Sequence, residues 1–269
     1  MKRVPYILSK LKSYERFSQL YNREVRIPTI LDNYQVFGER WFPHPPMLLP
    51  VFIDNSSFIL TGVSIHPFSK RKSSILSYDL ETDYMLEKAR SEEQFITKMI
   101  MEMDMIEEEI TAEMSVFCKQ INFNQAKEVD EHCEIYGDDP NYMEKLINFD
   151  RDLPLTYCKN IEQYDGEYIS SEKLFNESLV WKASLFEISN QGWLKDVKKI
   201  PEWLRSDTNK LELLDRYVDE GDFSSAWLVV NSMGLNLKDI ALGLISIKSK
   251  VNDPFFELVA EQWLEGYNS

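Results

Sequence analysis

The sequence predicts an α+β fold, with a small mixed or antiparallel sheet flanked by helices in the N-terminal half and an all-helical C-terminal half. Three observations carry this. Residues 51–53 and 58–61 are short apolar or β-branched runs separated by Asp54, Asn55, Ser56 and Ser57, whose side chains favour turns. Residues 74–80 alternate, with Ile75, Ser77 and Asp79 on one face and Leu76, Tyr78 and Leu80 on the other, as a strand requires. From Ser171 onward the pattern turns helical, and five of the six Trp fall there.

At the N-terminus, Ile7, Leu8, Leu11, Tyr14, Phe17, Leu20 and Tyr21 recur at helical spacing, so residues 1–23 read as one short helix packed on the sheet. Residues 27–31 read as an entry strand weakened by Pro28. The stretch WFPHPP (residues 41–46) must be an extended loop. It is either a rigid connector or an exposed aromatic contact patch carrying Trp41 and His44. The basic triplet in SKRKS (residues 69–73) belongs to a hairpin tip.

Ser91, with Gln94 three residues later, forms a capping box and starts a helix expected to run to about Phe117. Its apolar stripe is Phe95, Ile96, Met99, Ile100, Met103, Ile106, Ile110, Met114 and Phe117. The steps within it resemble a coiled-coil seam for two heptads and then stop at Glu113, which favours a core helix over a dimer zipper. Glu102, Asp104, Glu107, Glu108, Glu109 and Glu113 occupy the other faces. Residues 128–152 are acidic and less regular, with a turn at Gly137 to Pro140 and a short helix over 142–149. A further strand is expected over 153–157 and a turn at Asp165–Gly166.

The C-terminal region reads as helices over 171–188, from Pro201, over 207–219 (Leu211, Leu214 and Val218 inward), over 222–233, over 236–250 and from Asp253 to the end. Gly221 and Gly234 act as stops, and Asp253 followed by Pro254 is a strong N-terminal signal. Short links between these helices imply antiparallel pairs.

Residues 48–105 resemble the core of the SUKH superfamily, whose bacterial members are mostly immunity proteins against polymorphic toxins. The residues that carry the resemblance are the Leu49–Pro50 step opening a strand that ends in Asp54, the Tyr78–Asp79 ending of a later strand, and Ser91 with Phe95 four residues on. The resemblance implies a binding module without fixed catalytic residues. The acidic, irregular stretch and the shift of composition at Ser171 divide the chain into a SUKH-like α+β domain (1–125), an acidic connecting region (126–170) and a helical domain (171–269).

Hydrophobic content of 43% marks a globular chain of 269 residues, long enough for one large core or two small ones. Three Cys, at 118, 133 and 158, form no even disulfide framework, and no leader-like or membrane-length apolar run is visible. The expected compartment is the cytoplasm. Net charge is −15 and unevenly spread: residues 1–90 carry 13 Lys/Arg against 9 Asp/Glu, residues 91–150 carry 4 against 16, and residues 151–269 carry 13 against 20. Such a field disfavours nucleic acid and favours a basic protein partner.

Phosphate-loop, dinucleotide-binding, α/β-hydrolase and zincin motifs are all missing from the sequence. His44, His66 and His132 stand apart from any triad signature, and Cys118, His132 and Cys133 lack zinc-ligand spacing. No catalytic residue, cofactor or metal is therefore expected. The expected function is a non-enzymatic protein-binding module, an immunity protein or antitoxin that covers a basic toxin. The expected contact residues are Glu102, Glu107, Glu108, Glu109 and Glu113, with Trp41 and His44 beside them. The alternative is a phage- or prophage-associated regulatory or interaction protein using its helical half. An enzyme with an unrecognised site would need a pocket placing His beside a nucleophile or carboxylate.

Overall fold

The computed structural model describes residues 3–11, 13–38, 40–69, 72–82, 84–154, 157–158, 181–182, 202–205, 207–232 and 235–269. Its α+β architecture agrees with the predicted class. Five consecutive strands form an antiparallel meander: β1 (Gln35–Val36), β2 (Leu48–Asp54), β3 (Ile59–Ser64), β4 (Ile75–Asp79) and β5 (Tyr84–Ala89). A two-residue β6 (Trp181–Lys182) pairs with β5, so within the helix expected over 171–188 the described residues are strand and the rest lie outside the description.

Local chemistry explains the hairpins. Asp54 Oδ1 accepts the Ser56 N–H at 2.8 Å, and Asp79 Oδ1 accepts the Glu81 N–H at 2.8 Å, so each aspartate builds its own turn. Between β2 and β3 the register shifts at Pro50/Phe52, where proline cannot donate to the ladder. Gly62 makes that passage possible, since a Cβ there would lie 2.8 Å from Pro50 Cα. Consecutive residues Leu60 to Val63 are buried, so the middle of the sheet is covered on both faces.

Two helices of seven residues each, α1 (Val4–Lys10) and α2 (Glu15–Tyr21), replace the single N-terminal helix expected. Buried Tyr14 stands at the junction, its hydroxyl donating to Ser73 O at 2.9 Å. No strand forms over 27–31, where Leu31 N–H donates to Pro28 O at 3.0 Å in a turn; the entry strand comes later, as β1. The triplet of SKRKS falls in the β3–β4 connection, with Lys70 and Arg71 outside the described residues.

Phe17, Tyr34, Phe52 and Phe95 meet where α2 and α3 (Glu92–Glu107) cover β2; the Phe52 and Phe95 rings stack at 6.1 Å. The α3 cap forms as predicted at Ser91, whose hydroxyl accepts the Gln94 N–H at 3.1 Å. Gln94 reaches back to the Arg90 N–H at 2.8 Å and also donates to Arg151 O and Asp152 O.

The long helix does not reach Phe117. It ends at Glu107, Glu108 adopts left-handed backbone (φ 59°), and Thr111 caps a new helix, α4 (Ala112–Gln120). In a continuous helix Asp104 would face Glu107 and Glu108, and Glu109 would face Glu113, like charges that repel, and the Thr111 hydroxyl offers the Met114 N–H an acceptor at 3.1 Å. The break turns Ile106 outward to 58% exposure, contrary to its place in the predicted stripe. Helix α5 (Ala126–Tyr136) packs on α3, and a 3₁₀ turn over Pro140–Lys145 follows the Gly137 bend. Leu153 and Pro154 are not strand; Tyr157 N–H donates to Pro154 O at 2.9 Å, closing a turn. The Asp165–Gly166 turn lies outside the described residues.

The C-terminal helices form near their predicted places: a 3₁₀ turn Glu202–Leu204, then α6 (Lys210–Glu220), α7 (Phe223–Val230), α8 (Leu237–Lys250) and α9 (Pro254–Tyr267), with the Asp253 cap as expected and the Gly234 stop outside the described residues. Asn209, Asp222, Asn236 and Asp253 each accept an N–H of the first turn, and Gly221 (φ 74°) ends α6. On α6 it is Leu213, Leu214 and Val218 that face inward, while Leu211 is exposed. Helix α8 touches α6, α7 and α9, and α9 also touches α1. Gly243 permits the α8–α6 approach, since a Cβ there would lie 2.7 Å from Leu214 Cδ2.

Candidate functional site: an acidic corner and two clefts

The predicted contact residues separate into three groups. Glu107, Glu108, Glu109 and Glu113 are exposed where α3 breaks into α4. Apolar side chains stand among them: Ile106, and Val116 at 56% exposure, with half-exposed Met105 alongside. The end of α5 lies next to this corner, since a Cβ on Gly137 would come within 3.9 Å of Met105 Cε. Carboxylates interleaved with exposed apolar groups give both charge and buriable area to a partner. The helix break creates this corner, and its signal in the sequence was the glutamate run followed by Thr111.

Glu102 belongs elsewhere. It is half-buried and accepts the Tyr34 hydroxyl at 2.8 and 3.0 Å and the Asn33 amide at 3.4 Å. Burial and the Glu102 charge hold the Tyr34 phenol well above its usual range. Glu102 thus anchors the 33–34 segment to α3 and is not free to face a partner.

Trp41 and His44 are also internal, which corrects the exposed-patch reading and leaves the connector. The Trp41 ring packs edge-on against Trp263 at 5.6 Å and against Tyr267 at 6.3 Å. His44 is buried; its ring contacts Phe42 O at 2.7 Å, its carbonyl accepts the Trp263 indole N–H at 2.8 Å, and burial lowers its pKa to about 4. The Trp227 indole donates to Ile65 O at 3.1 Å, and Asn231 accepts the Met47 N–H at 2.8 Å while donating to Trp227 O. Side chains of α7 and α9 therefore satisfy loop backbone groups that would otherwise be buried unpaired. The C-terminal Trp enrichment was their sequence signal, but nothing in the sequence named their acceptors.

Two large clefts open elsewhere. One, of about 780 Å³, lies at the N-terminus of α3 and mixes both signs: Arg16, Lys72 and Arg90 face Glu15, Glu92, Glu93 and Asp152. Arg16 pairs with Glu93, and Glu92 accepts the Phe17 N–H at 2.8 Å. Burial, opposed by the Phe17 N–H and the Arg16 guanidinium, pushes the Glu92 carboxyl up to about 7. The other cleft, of about 910 Å³, runs along the open edge of β1 and is lined by Arg23, Arg26 and Arg40 with apolar side chains, Gln35 and Asn55, and by no carboxylate among the described residues.

No histidine lines either cleft. His132 is buried on α5 with its ring 5.2 Å from Tyr136, and burial lowers its pKa. Burial raises the Cys118 thiol to about 11; burial and the Asp104 carboxylate raise that of Cys133 to about 12, far from a reactive thiolate. Among the described residues no group of three His, Cys, Asp or Glu side chains could hold a metal ion, and no helix is long and apolar enough to cross a membrane.

No known protein family, curated protein or solved structure matches the chain.

Proposed function

We propose that the chain is a non-enzymatic protein-binding module, most concretely an immunity protein or antitoxin acting in the cytoplasm, which neutralises a basic toxin by covering it. The observation that carries this is the acidic corner: Glu107, Glu108, Glu109 and Glu113 exposed around Met105, Ile106 and Val116. Residues 91–150 hold 16 acidic against 4 basic side chains, so the corner sits in the most negative part of the chain. Such a field steers a basic partner and weakens with salt. Occlusion requires complementarity of shape and charge, without a reactive group. The SUKH resemblance over residues 48–105 points the same way. Trp41, His44 and Glu102, being engaged internally, take no part in this contact.

The test starts from capture of partners at low salt and release at high salt, followed by co-expression of the purified partner's gene with the chain. A stoichiometric basic partner whose toxicity is suppressed is the expected result. The triple variant Glu107→Lys, Glu108→Lys, Glu109→Lys should fold normally and lose both binding and rescue. Undiminished binding by that folded variant would refute the acidic-corner contact.

A further inference from the structure

The cleft along β1 stands apart from the acidic corner and has the opposite sign. Its walls are the chain after α2 and the β1 edge, and its rim carries Arg23, Arg26 and Arg40. Among the described residues no carboxylate lines this cleft. None of the three guanidinium groups makes a hydrogen bond or ion pair among the described residues. All three arginines are exposed, so their guanidinium groups stand open to a ligand at the rim of the cleft. Their planar donors match carboxylate and phosphate oxygens.

Apolar side chains line much of the rest, Ile27, Phe42 and Phe58 among them, beside the polar Gln35 and Asn55. Phe58 stays 45% exposed at the rim although large apolar rings are normally buried. Its backbone is pinned, its carbonyl accepting the Leu80 N–H at 3.0 Å, and it holds a left-handed conformation (φ 54°). Arg23, on the same cleft, is left-handed too (φ 60°). Non-glycine residues held in this region cluster at ligand clamps. The β1 edge adds backbone groups: Gln35 pairs with Ile53 and Phe37 N–H donates to Val51 O, so the N–H and C=O of Val36 point away from β2. A volume of about 910 Å³ suits a small molecule.

We infer that this cleft binds a small amphipathic organic anion, with its carboxylate or phosphate group among Arg23, Arg26 and Arg40 and its apolar body against Ile27, Phe42 and Phe58. This goes beyond the protein-binding reading and does not depend on it.

The full chain is titrated with 8-anilinonaphthalene-1-sulfonate, an aromatic anion whose fluorescence rises on leaving water, and in parallel with the neutral N-phenyl-1-naphthylamine. The expected result is saturable one-to-one binding of the anionic probe that weakens with salt. The triple variant Arg23→Asn, Arg26→Gln, Arg40→Gln, with unchanged circular dichroism and Tm, should bind it at least about tenfold more weakly. Asparagine is chosen at 23 because it tolerates left-handed backbone. Octyl phosphate and decanoate should displace the probe, and decanol should not. Binding unchanged in the triple variant, or equal binding of the neutral probe, overturns the proposal. Displacement by an acidic peptide but not by octyl phosphate or decanoate also overturns it, because the cleft would then be an edge for an extended chain.

Discussion

Gly266→Ala tests the internal seam between the sheet loops and the C-terminal helices. Gly266 lies in the last turn of α9 against the Trp41 ring: a Cβ there would sit 2.7 Å from Cγ of that ring and closer still to Cδ1 and Nε1. In an isolated helix the exchange stabilises by at most about 1 kcal/mol. In this protein the methyl must displace an indole wedged between Trp263 and Tyr267. Overpacking of that kind costs about 3 kcal/mol at its upper range. The net expectation is a loss of about 2 kcal/mol, a sizeable fraction of an ordinary domain stability. The decisive measurement is a double-mutant cycle by urea unfolding, followed by far-ultraviolet circular dichroism. Trp41→Ala alone is expected to cost about 3 kcal/mol, as deletion of a large packed ring does. In that background Gly266→Ala should turn stabilising, giving a coupling of about 3 kcal/mol between the two sites. If Gly266→Ala stabilises the otherwise unchanged chain, or if the two effects simply add, α9 does not pack on the Trp41 loop as described.

Two further outcomes follow from local geometry. Glu108→Gly should raise stability by about 0.5 kcal/mol in the same unfolding assay, because glycine occupies the left-handed helix end without the Cβ penalty while giving back some unfolded-state entropy; a loss would show that the Glu108 side chain supports the break. Glu92→Gln tests the sign of a pH effect. The folded carboxyl titrates near 7 against 4.5 for the free group, so its contribution to stability is fully present below about 4.5 and is lost as pH rises towards 7. The amide cannot ionise and keeps an acceptor for the Phe17 N–H, so the variant should gain on the parent over that window by about 1–2 kcal/mol, a figure reduced for solvent screening at a half-buried site. A stability difference that stays flat with pH would show that Glu92 ionises normally.

What was legible in the sequence follows from how local each determinant is. Helices α6 to α9 were legible, α8 and α9 closely and α6 and α7 to within a turn, because Asn209, Asp222, Asn236 and Asp253 satisfy first-turn N–H groups from beside their own helices. Strands β2 to β4 were visible in their runs and in the Asp54 turn. Strand β5 was not, since Glu87 and Lys88 are poor strand formers; Glu87 is held by pairing with Leu76 of β4, and Lys88 is the extra residue where the register shifts. The break at Glu108 has no glycine or proline to announce it. Trp41 and His44 were placed in the right kind of loop, but whether a Pro-rich aromatic loop is exposed depends on α9, some two hundred residues further along the chain.

The two opposite surfaces show most clearly why net charge was a poor guide. Between Arg23 and Arg40 the sequence also carries Glu24, Asp32 and Glu39, so counting charges along this stretch finds near balance and no basic patch. In the fold Arg23, Arg26 and Arg40 line one cleft, and the Glu24 carboxylate accepts the Asn22 amide at 3.2 Å. At physiological ionic strength exposed charges act over about 8 Å, so the sign a ligand meets is set by the residues lining its site and not by the chain total. The same reasoning applies to the acidic corner, where Glu102 looks equivalent to Glu107, Glu108 and Glu109 in the sequence but is already engaged by Tyr34 and Asn33. Tyr34 also lines the arginine cleft, so its bond to Glu102 joins the wall of that cleft to the helix whose far end forms the acidic corner. A protein of net charge −15 can therefore carry an arginine-rimmed cleft and an acidic corner together, with Glu102 between them held by the Tyr34 hydroxyl and the Asn33 amide.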